Sequence, residues 1–320
     1  MSPDVAAAVG RLEQAGLLTA SQAARFGRIA RGELVSIRAE LRLLHYGGVL
    51  VLMAGVGLLV RQNLDRIGPV AIATGLWLAA LGALFWAARH AAPFSWGESP
   101  SPHLAFDYIL LLGVLLTGAA LGYVEVQFTP LGANWRHHLL IVSALAAVLA
   151  VRGDSKVVAT VALTTFAAWR GVSASMFERA LWSATEHAVR ANALVLGLAF
   201  VTLGRVLVHS ARKPHFEPVA TYLGWMLIVG MLVSGVADGG AAELAYRSGC
   251  FLLGTALAAF AFRAGRFPLF GLGLVTAYIG LSALVVSEAD ALLAYLWFAV
   301  TGIAVLVGLL KAHHAMREHA

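Results

Sequence analysis

From residue 43 onward the chain reads Leu43-Leu44-His45-Tyr46-Gly47-Gly48-Val49-Leu50-Val51-Leu52-Met53-Ala54-Gly55-Val56-Gly57-Leu58-Leu59-Val60, with no Asp, Glu, Lys or Arg in it. A bilayer core takes about 20 apolar residues of helix. Inside it every backbone donor and acceptor must be satisfied within the segment, so a run of this kind can only be helical. Blocks of the same character recur as far as Leu310, separated by short polar breaks. The expected fold is therefore all-α: a polytopic helical membrane protein.

Working outward from that block, ten spans are predicted. They are Leu43–Val60, Ile67–Ala88, Phe106–Val126, His138–Val151, Val157–Trp169, Ala191–Val208, Pro218–Ala237, Leu244–Phe262, Phe267–Val286 and Ala291–Leu310. Pro69 and Pro218 suit first helical turns, which have no donor to lose. The fourth and fifth blocks are short, and fit either tilted crossings or a re-entrant hairpin around Arg152-Gly153-Asp154. Both arrangements leave the parity unchanged. Residues 311–320 are expected to form a cytoplasmic tail.

Composition agrees with this class. Of 320 residues 60% are hydrophobic and 12% charged, where a soluble domain carries about 25% charge. The net charge of +6 comes from Lys and Arg that flank apolar blocks. No basic stripe with interleaved aromatics is present, so nucleic-acid binding is not expected. The single Cys250 excludes an intrachain disulfide and a thiolate metal centre. The first block follows a long polar, helix-forming stretch, so it reads as an uncleaved anchor, not as a signal peptide.

With the N-terminus in the cytoplasm, sixteen of the 23 Lys and Arg residues fall on the inner side and seven on the outer. Cytoplasmic loops carry such an excess, which predicts that both termini lie in the cytoplasm. Asp238, Glu243, Glu288 and Asp290 make the late outer loops acidic.

Residues 1–42 read as a small cytoplasmic helical module. Ser2-Pro3-Asp4 supplies a cap, a first-turn Pro and an acid near the positive dipole end, and Val5, Val9 and Leu12 share a face. Gly16 can end that helix, and Thr19-Ala20-Ser21-Gln22 is a capping box for a second, with Leu18 placed as a staple. Glu33 to Leu44 is expected to run as a charged helix into the first span. So short a module buries too little to stand alone, and should lean on the membrane domain, lipid headgroups or a protein partner. Near 174–190, Phe177, Leu181, Ala184 and Ala188 line one helical face, with Glu186 and Arg190 spaced for an i,i+4 pair. An interfacial helix on the outer side and a loop helix packed on the bundle are equally compatible with this pattern.

The residues His45-Tyr46-Gly47-Gly48, Gly55-Val56-Gly57-Leu58-Leu59, Asn63-Leu64-Asp65-Arg66 and Pro69 carry a resemblance, together with Leu17-Leu18-Thr19 and Gln22-Ala23. This pattern resembles an uncharacterised family of prokaryotic predicted membrane proteins, a domain of unknown function. That family has an N-terminal helix pair, a Tyr-Leu-Gly entry to the first span and an Asn-Trp-Asp type turn. Here Gly47 stands in place of the Leu and Leu64 in place of the Trp, so the anchor role of that Trp is not carried over. The resemblance implies a prokaryotic inner-membrane protein and brings no activity with it.

Six polar residues are the candidate functional positions: Asn63, Asp65, Arg66, Glu125, Glu243 and Arg247. Asn63, Asp65 and Arg66 are expected in a tight outer turn, for which an Asx-type structural role is favoured over ligand contact. Asp107 and Glu125 lie at opposite ends of one span, about 27 Å apart, too far for a joint acid–base role. Glu125 is placed near the outer interface. Glu243 and Arg247 are i,i+4 and should pair with each other. Arg205, near an inner end, should snorkel. The adjacent pairs His137-His138 and His313-His314 diverge by about 100° on a helix and chelate poorly together. No metal, cofactor or catalytic residue is expected, since no metal-ligand spacing, nucleophile elbow or phosphate loop occurs. Gly118-x-x-x-Gly122 permits close helix approach.

Gly75 to Arg89 and Gly249 to Arg263 share a spacing, and each follows a Tyr-x-Gly span entry, at Tyr46 and Tyr222. This suggests a parallel repeat of spans one and two in seven and eight, with any solute path between those four. Two functions follow. One is a non-enzymatic membrane subunit or scaffold, favoured by the scarcity of intramembrane charge. The alternative is a transporter or permease for a small or amphiphilic molecule or lipid. A closed, wet cavity at mid-depth would favour the second, and a lipid-filled or solid core the first.

A peptide of Met1–Leu41 should show weak helicity in water and more with anionic vesicles, read by circular dichroism. A cooperative thermal unfolding transition of that peptide would contradict the docking-module reading.

Overall fold

The computed structural model describes residues 38–99, 105–172, 187–237, 242–287 and 290–318, with short pieces at 12–14, 16, 18–19, 21–23 and 26. Among these residues every regular element is helical. They are α1 (Arg38–Ile67), α2 (Pro69–His90), α3 (Phe106–Phe128), α4 (His137–Gly153), α5 (Lys156–Trp169), α6 (His187–His209), α7 (Glu217–Val236), α8 (Glu243–Arg263), α9 (Phe267–Val286) and α10 (Ala291–Glu318), with 3-10 turns at Gly132–Asn134 and Pro214–Phe216. Eight helices are long and apolar enough to cross a membrane, α4 counting with its 3-10 lead. The apolar part of α1, Tyr46–Leu59, and α5 are shorter. The chain is an integral membrane protein.

Two compact units are present, Met1–Asn63 and Leu64–Ala320. In the first, the capping box forms as expected. The Thr19 N–H donates to Gln22 Oε1 at 2.9 Å and the Gln22 N–H to Thr19 Oγ1 at 3.3 Å. Gly16 takes φ 70°, which closes the preceding turn. The remaining expectations for residues 1–37 lie outside the described residues.

Three boundaries differ from those expected. Asn63, Asp65 and Arg66 form the last turn of α1, not a tight turn. The break falls on Gly68 alone, at φ 79°, because Pro69 disfavours helical backbone in the residue before it. Residues 311–318 continue α10 as helix, since Lys311 to Glu318 holds no Gly or Pro to stop it. The interfacial helix expected near 174–190 lies almost wholly outside the described residues. Arg190 belongs to α6, which starts at His187.

In the second unit α2 packs on α3, α4 on α5, α6 on α7, α8 on α9, and α10 on α9. Exposed side chains such as Leu81, Val148, Leu252 and Val300 form the lipid-facing surface. Helices immersed in lipid gain nothing from the hydrophobic effect by meeting, so association depends on atoms that can come close. Two crossings are built on glycine for this reason. A Cβ on Gly197 of α6 would stand 2.8 Å from the Gly224 carbonyl oxygen, and one on Gly224 of α7 2.7 Å from the Gly197 oxygen. Between α8 and α9 a Cβ on Gly273 would lie 2.5 Å from the Ala258 nitrogen and 2.8 Å from the Gly254 oxygen.

The Gly118-x-x-x-Gly122 pair makes no such crossing. A Cβ on Gly122 would meet nothing within 4 Å, and one on Gly118 would only touch Val142 at 3.8 Å.

Gly273→Val should therefore destabilise the bundle by about 1–3 kcal/mol or more through overpacking. Gly122→Ala should stay within about 0.5 kcal/mol of the parent. Denaturant unfolding in micelles, read by tryptophan fluorescence, checks both. Equal losses would contradict the assignment of the crossings.

Candidate functional site

The end of α3 and the start of α4 build a buried acid–imidazole pair. Thr129 caps α3 in the left-handed region at φ 45°, its N–H donating to the Glu125 carbonyl at 2.8 Å. The chain then turns through Gly132–Asn134 into α4. This return brings His138 Nε2 to 2.8 Å from Glu125 Oε2, and the Leu131 N–H donates to the same oxygen at 3.1 Å. The two side chains are only 13% and 11% exposed. His138 Nδ1 is buried and makes no hydrogen bond among the described residues. His137 turns away and bonds the Asn134 carbonyl at 2.9 Å. The two histidines diverge, as adjacent helical residues must.

Glu125 and His138 stand at the head of a cavity of about 560 Å³ between α3, α4 and α5. Its walls include Val114, Leu115, Gly118, Gly122, Leu139 and Val161, so the lining is apolar away from that pair and Thr165. The two glycines that form no helix crossing are the ones that leave this space. Toward the other end α3 closes on α4, where a Cβ on Gly153 would lie 2.7 Å from Leu110 and 3.4 Å from Phe106.

That opposite end carries a second cluster, which sequence spacing did not reveal. Asp154 caps α4 at φ 59°, and Ser155 caps α5, accepting from the Val158 N–H at 3.4 Å. Lys213 Nζ lies 2.9 Å and His215 Nε2 2.5 Å from Asp154 Oδ1, while the Ser99 N–H donates to Oδ2. All three side chains are at most 6% exposed. The Lys213 N–H also donates to the Trp96 carbonyl at 2.7 Å, and Arg152 to the Ala92 carbonyl at 2.8 Å. Lys156 meets Glu98 at 3.0 Å. Residues 91–99 are thus strapped across the ends of α4, α5 and α6.

These contacts also decide between the two arrangements of the short blocks. At the Glu125 end Arg170, just past α5, holds Asn192 of α6 at 2.9 Å. At the Asp154 end α4 and α5 meet the segment that follows α6. The α4–α5 pair therefore runs alongside α6 from Asn192 to the segment beyond its C-terminal end, which favours the tilted crossing over the half-depth hairpin. Midway, Ser143 Oγ donates to the Ala162 carbonyl at 2.9 Å.

The other candidates are dispersed. Arg247 bonds Glu243 on its own helix as expected. Asn63, Asp65 and Arg66 lie in the backbone of α1. Arg205 lies over Phe260 at 6.0 Å. Glu217, buried on α7, accepts from Thr221 at 3.0 Å and Arg266 at 2.6 Å, a structural link between α7 and the start of α9. No group of three or more His, Cys, Asp or Glu side chains able to hold a metal occurs among the described residues. The path expected between spans one, two, seven and eight is not where the described cavities lie. There α2 packs on α3, and α7 on α5, α6, α8 and α9.

Residues 10–159 match the family described as Predicted membrane protein (DUF2157). Over those residues, just under half of the chain, it is similar to that family. The DUF2157 region contains Glu125, His138 and Asp154, whereas Lys213 and His215 lie beyond it. No curated protein and no solved structure matches the chain.

Cutting one partner from the Asp154 cluster strands a buried charge, at a cost of about 3–5 kcal/mol. Lys213→Met and Asp154→Leu should each show a loss of that order in micellar unfolding. The double variant should cost clearly less than their sum. Strict additivity would contradict the clamp.

Proposed function

We propose that this protein is a non-enzymatic membrane subunit or scaffold that holds an amphiphile in the α3–α4–α5 groove. The observation that carries this reading is the Glu125–His138 pair, buried at the head of an otherwise apolar cavity of about 560 Å³. The unbonded His138 Nδ1 offers a polar end a partner, and the walls below offer an acyl chain lipid-like surroundings. An acid beside an imidazole is also a general acid–base arrangement, but the one hydroxyl in the groove lining is that of Thr165 on α5, and among the described residues no hydrogen bond links it to His138. The favoured role is binding.

A permease for the same class of molecule is the second reading. Packing of Phe106 and Leu110 against Gly153 closes the groove toward the Asp154 end, which favours holding over passage. The membrane is taken to be the bacterial inner membrane, with both termini cytoplasmic. The bias of sixteen of 23 Lys and Arg toward the N-terminal side supports this. The N-terminal segment is then free to dock a cytoplasmic protein.

Purification in mild detergent followed by lipid analysis should recover about one amphiphile per chain. Gly118→Leu, which fills the groove, should lose it. Retention by that variant at the parental ratio would overturn the groove assignment. Orientation is read with single cysteines in a Cys250→Ala background. Ala133→Cys should react with an impermeant thiol reagent in intact cells, and Glu98→Cys only after permeabilisation. The reverse pattern would overturn the orientation.

A further inference from the structure

We infer that the bound amphiphile carries an anionic, phosphate-type headgroup, held by Arg136 and Arg170 in a polar hollow that adjoins the groove at Trp135. This rests on the groove reading above and names the chemistry of its ligand. The hollow measures about 540 Å³ and is lined by Trp135, Arg136, His137, Trp169, Arg170 and Asn192 among others, with no carboxylate in its lining. Trp135 also lines the apolar groove, so the two spaces share a wall. An apolar channel and a cationic cup on either side of one indole match the two halves of a lipid.

The cup is organised before any ligand arrives. Asn192 Oδ1 receives Arg170 Nη2 at 2.9 Å, and Asn192 Nδ2 donates to the Arg170 carbonyl at 3.0 Å. The Arg170 guanidinium also lies 5.8 Å from the Trp169 ring centre. One nitrogen of the fork is thereby fixed, and the other donors keep the planar geometry that meets phosphate oxygens in pairs. Arg136 adds a second cation and makes no ion pair among the described residues. The nearby Glu125 does not oppose an anion freely, because its carboxylate is engaged by His138 and the Leu131 N–H. Under the proposed orientation this is the side where Lys and Arg are depleted, and two of its seven cations converge here. Trp135 stands just before α4 and Trp169 ends α5, helix ends of the kind where indoles anchor at headgroups.

The test uses the full chain, delipidated in detergent, with binding read by native mass spectrometry. The probes are phosphatidylglycerol, phosphatidylcholine and inorganic phosphate. The wild type should prefer phosphatidylglycerol over phosphatidylcholine by about tenfold, because the choline cation is repelled by Arg136 and Arg170 while both phosphates can take the same contacts. The double variant Arg136→Gln, Arg170→Gln should lose that preference while still retaining lipid. Gly122→Leu, which fills the groove, should bind neither lipid. An unchanged preference in the arginine variant would overturn the headgroup site. Competition by inorganic phosphate as strong as that by phosphatidylglycerol would overturn the lipid as its source. If Gly122→Leu keeps full binding and preference while the arginine variant loses preference, the groove reading fails and the anion cup stands. Unfolding midpoints equal to wild type show that the exposed arginine changes leave the fold intact.

Discussion

Helices in lipid have no hydrophobic reason to meet, so this bundle closes only where backbones can touch. Gly197 against Gly224, and Gly254 against Gly273, supply that contact, with carbonyl oxygens standing where a Cβ would otherwise be. Around the first of those crossings the interior fills with apolar side chains, including Ala193, Leu196, Phe200 and Met231. Gly118 and Gly122 have no facing backbone. The same residue type that seals two helix pairs therefore leaves a cavity between α3, α4 and α5. The groove is a consequence of where the facing partner is missing.

Polar groups sort by the same constraint. A charge in a low-dielectric surround is tolerated only when paired, and the two ends of the bundle pair theirs differently. At the Asp154 end the cluster is enclosed: Lys213, His215 and a backbone N–H stand around one carboxylate and strap residues 91–99 down, though neither His215 ring nitrogen makes a hydrogen bond among the described residues. At the Glu125 end it is open, since the pair borders empty space. The closed cluster holds the structure together, and the open one is where a ligand has something to gain.

How much of this was legible in the chain follows from range. Features set within one helical turn were readable, such as the Thr19–Gln22 capping box, the Glu243–Arg247 pair and the divergence of His137 from His138. So were the apolar helices, eight of which among the described residues have the length that bilayer thickness demands. Stops were harder. Helix α1 runs through Asn63–Arg66 to the first Gly-Pro step, and α10 runs on because Lys311-Ala312-His313-His314 has no breaker. The site itself was half visible. Glu125 stood out as an acid in a span, but its partner His138 was weighed only as half of a histidine pair. Asp154 and Lys213 are 59 positions apart, and no local pattern links them. Nor does the sequence of 33 glycines mark which few meet a backbone.

The family match spans residues 10–159, which hold both Glu125 and His138. The groove is thus built by the DUF2157 region together with the rest of α5, and the later helices brace it. The most direct measurement places a photoreactive benzophenone side chain at Leu115, on the groove wall, and irradiates the protein in native membrane. The account predicts a lipid-mass adduct on the α3 peptide, lost when Gly118→Leu fills the space. A cross-link from Leu115 only to the protein's own helices would contradict an occupied groove.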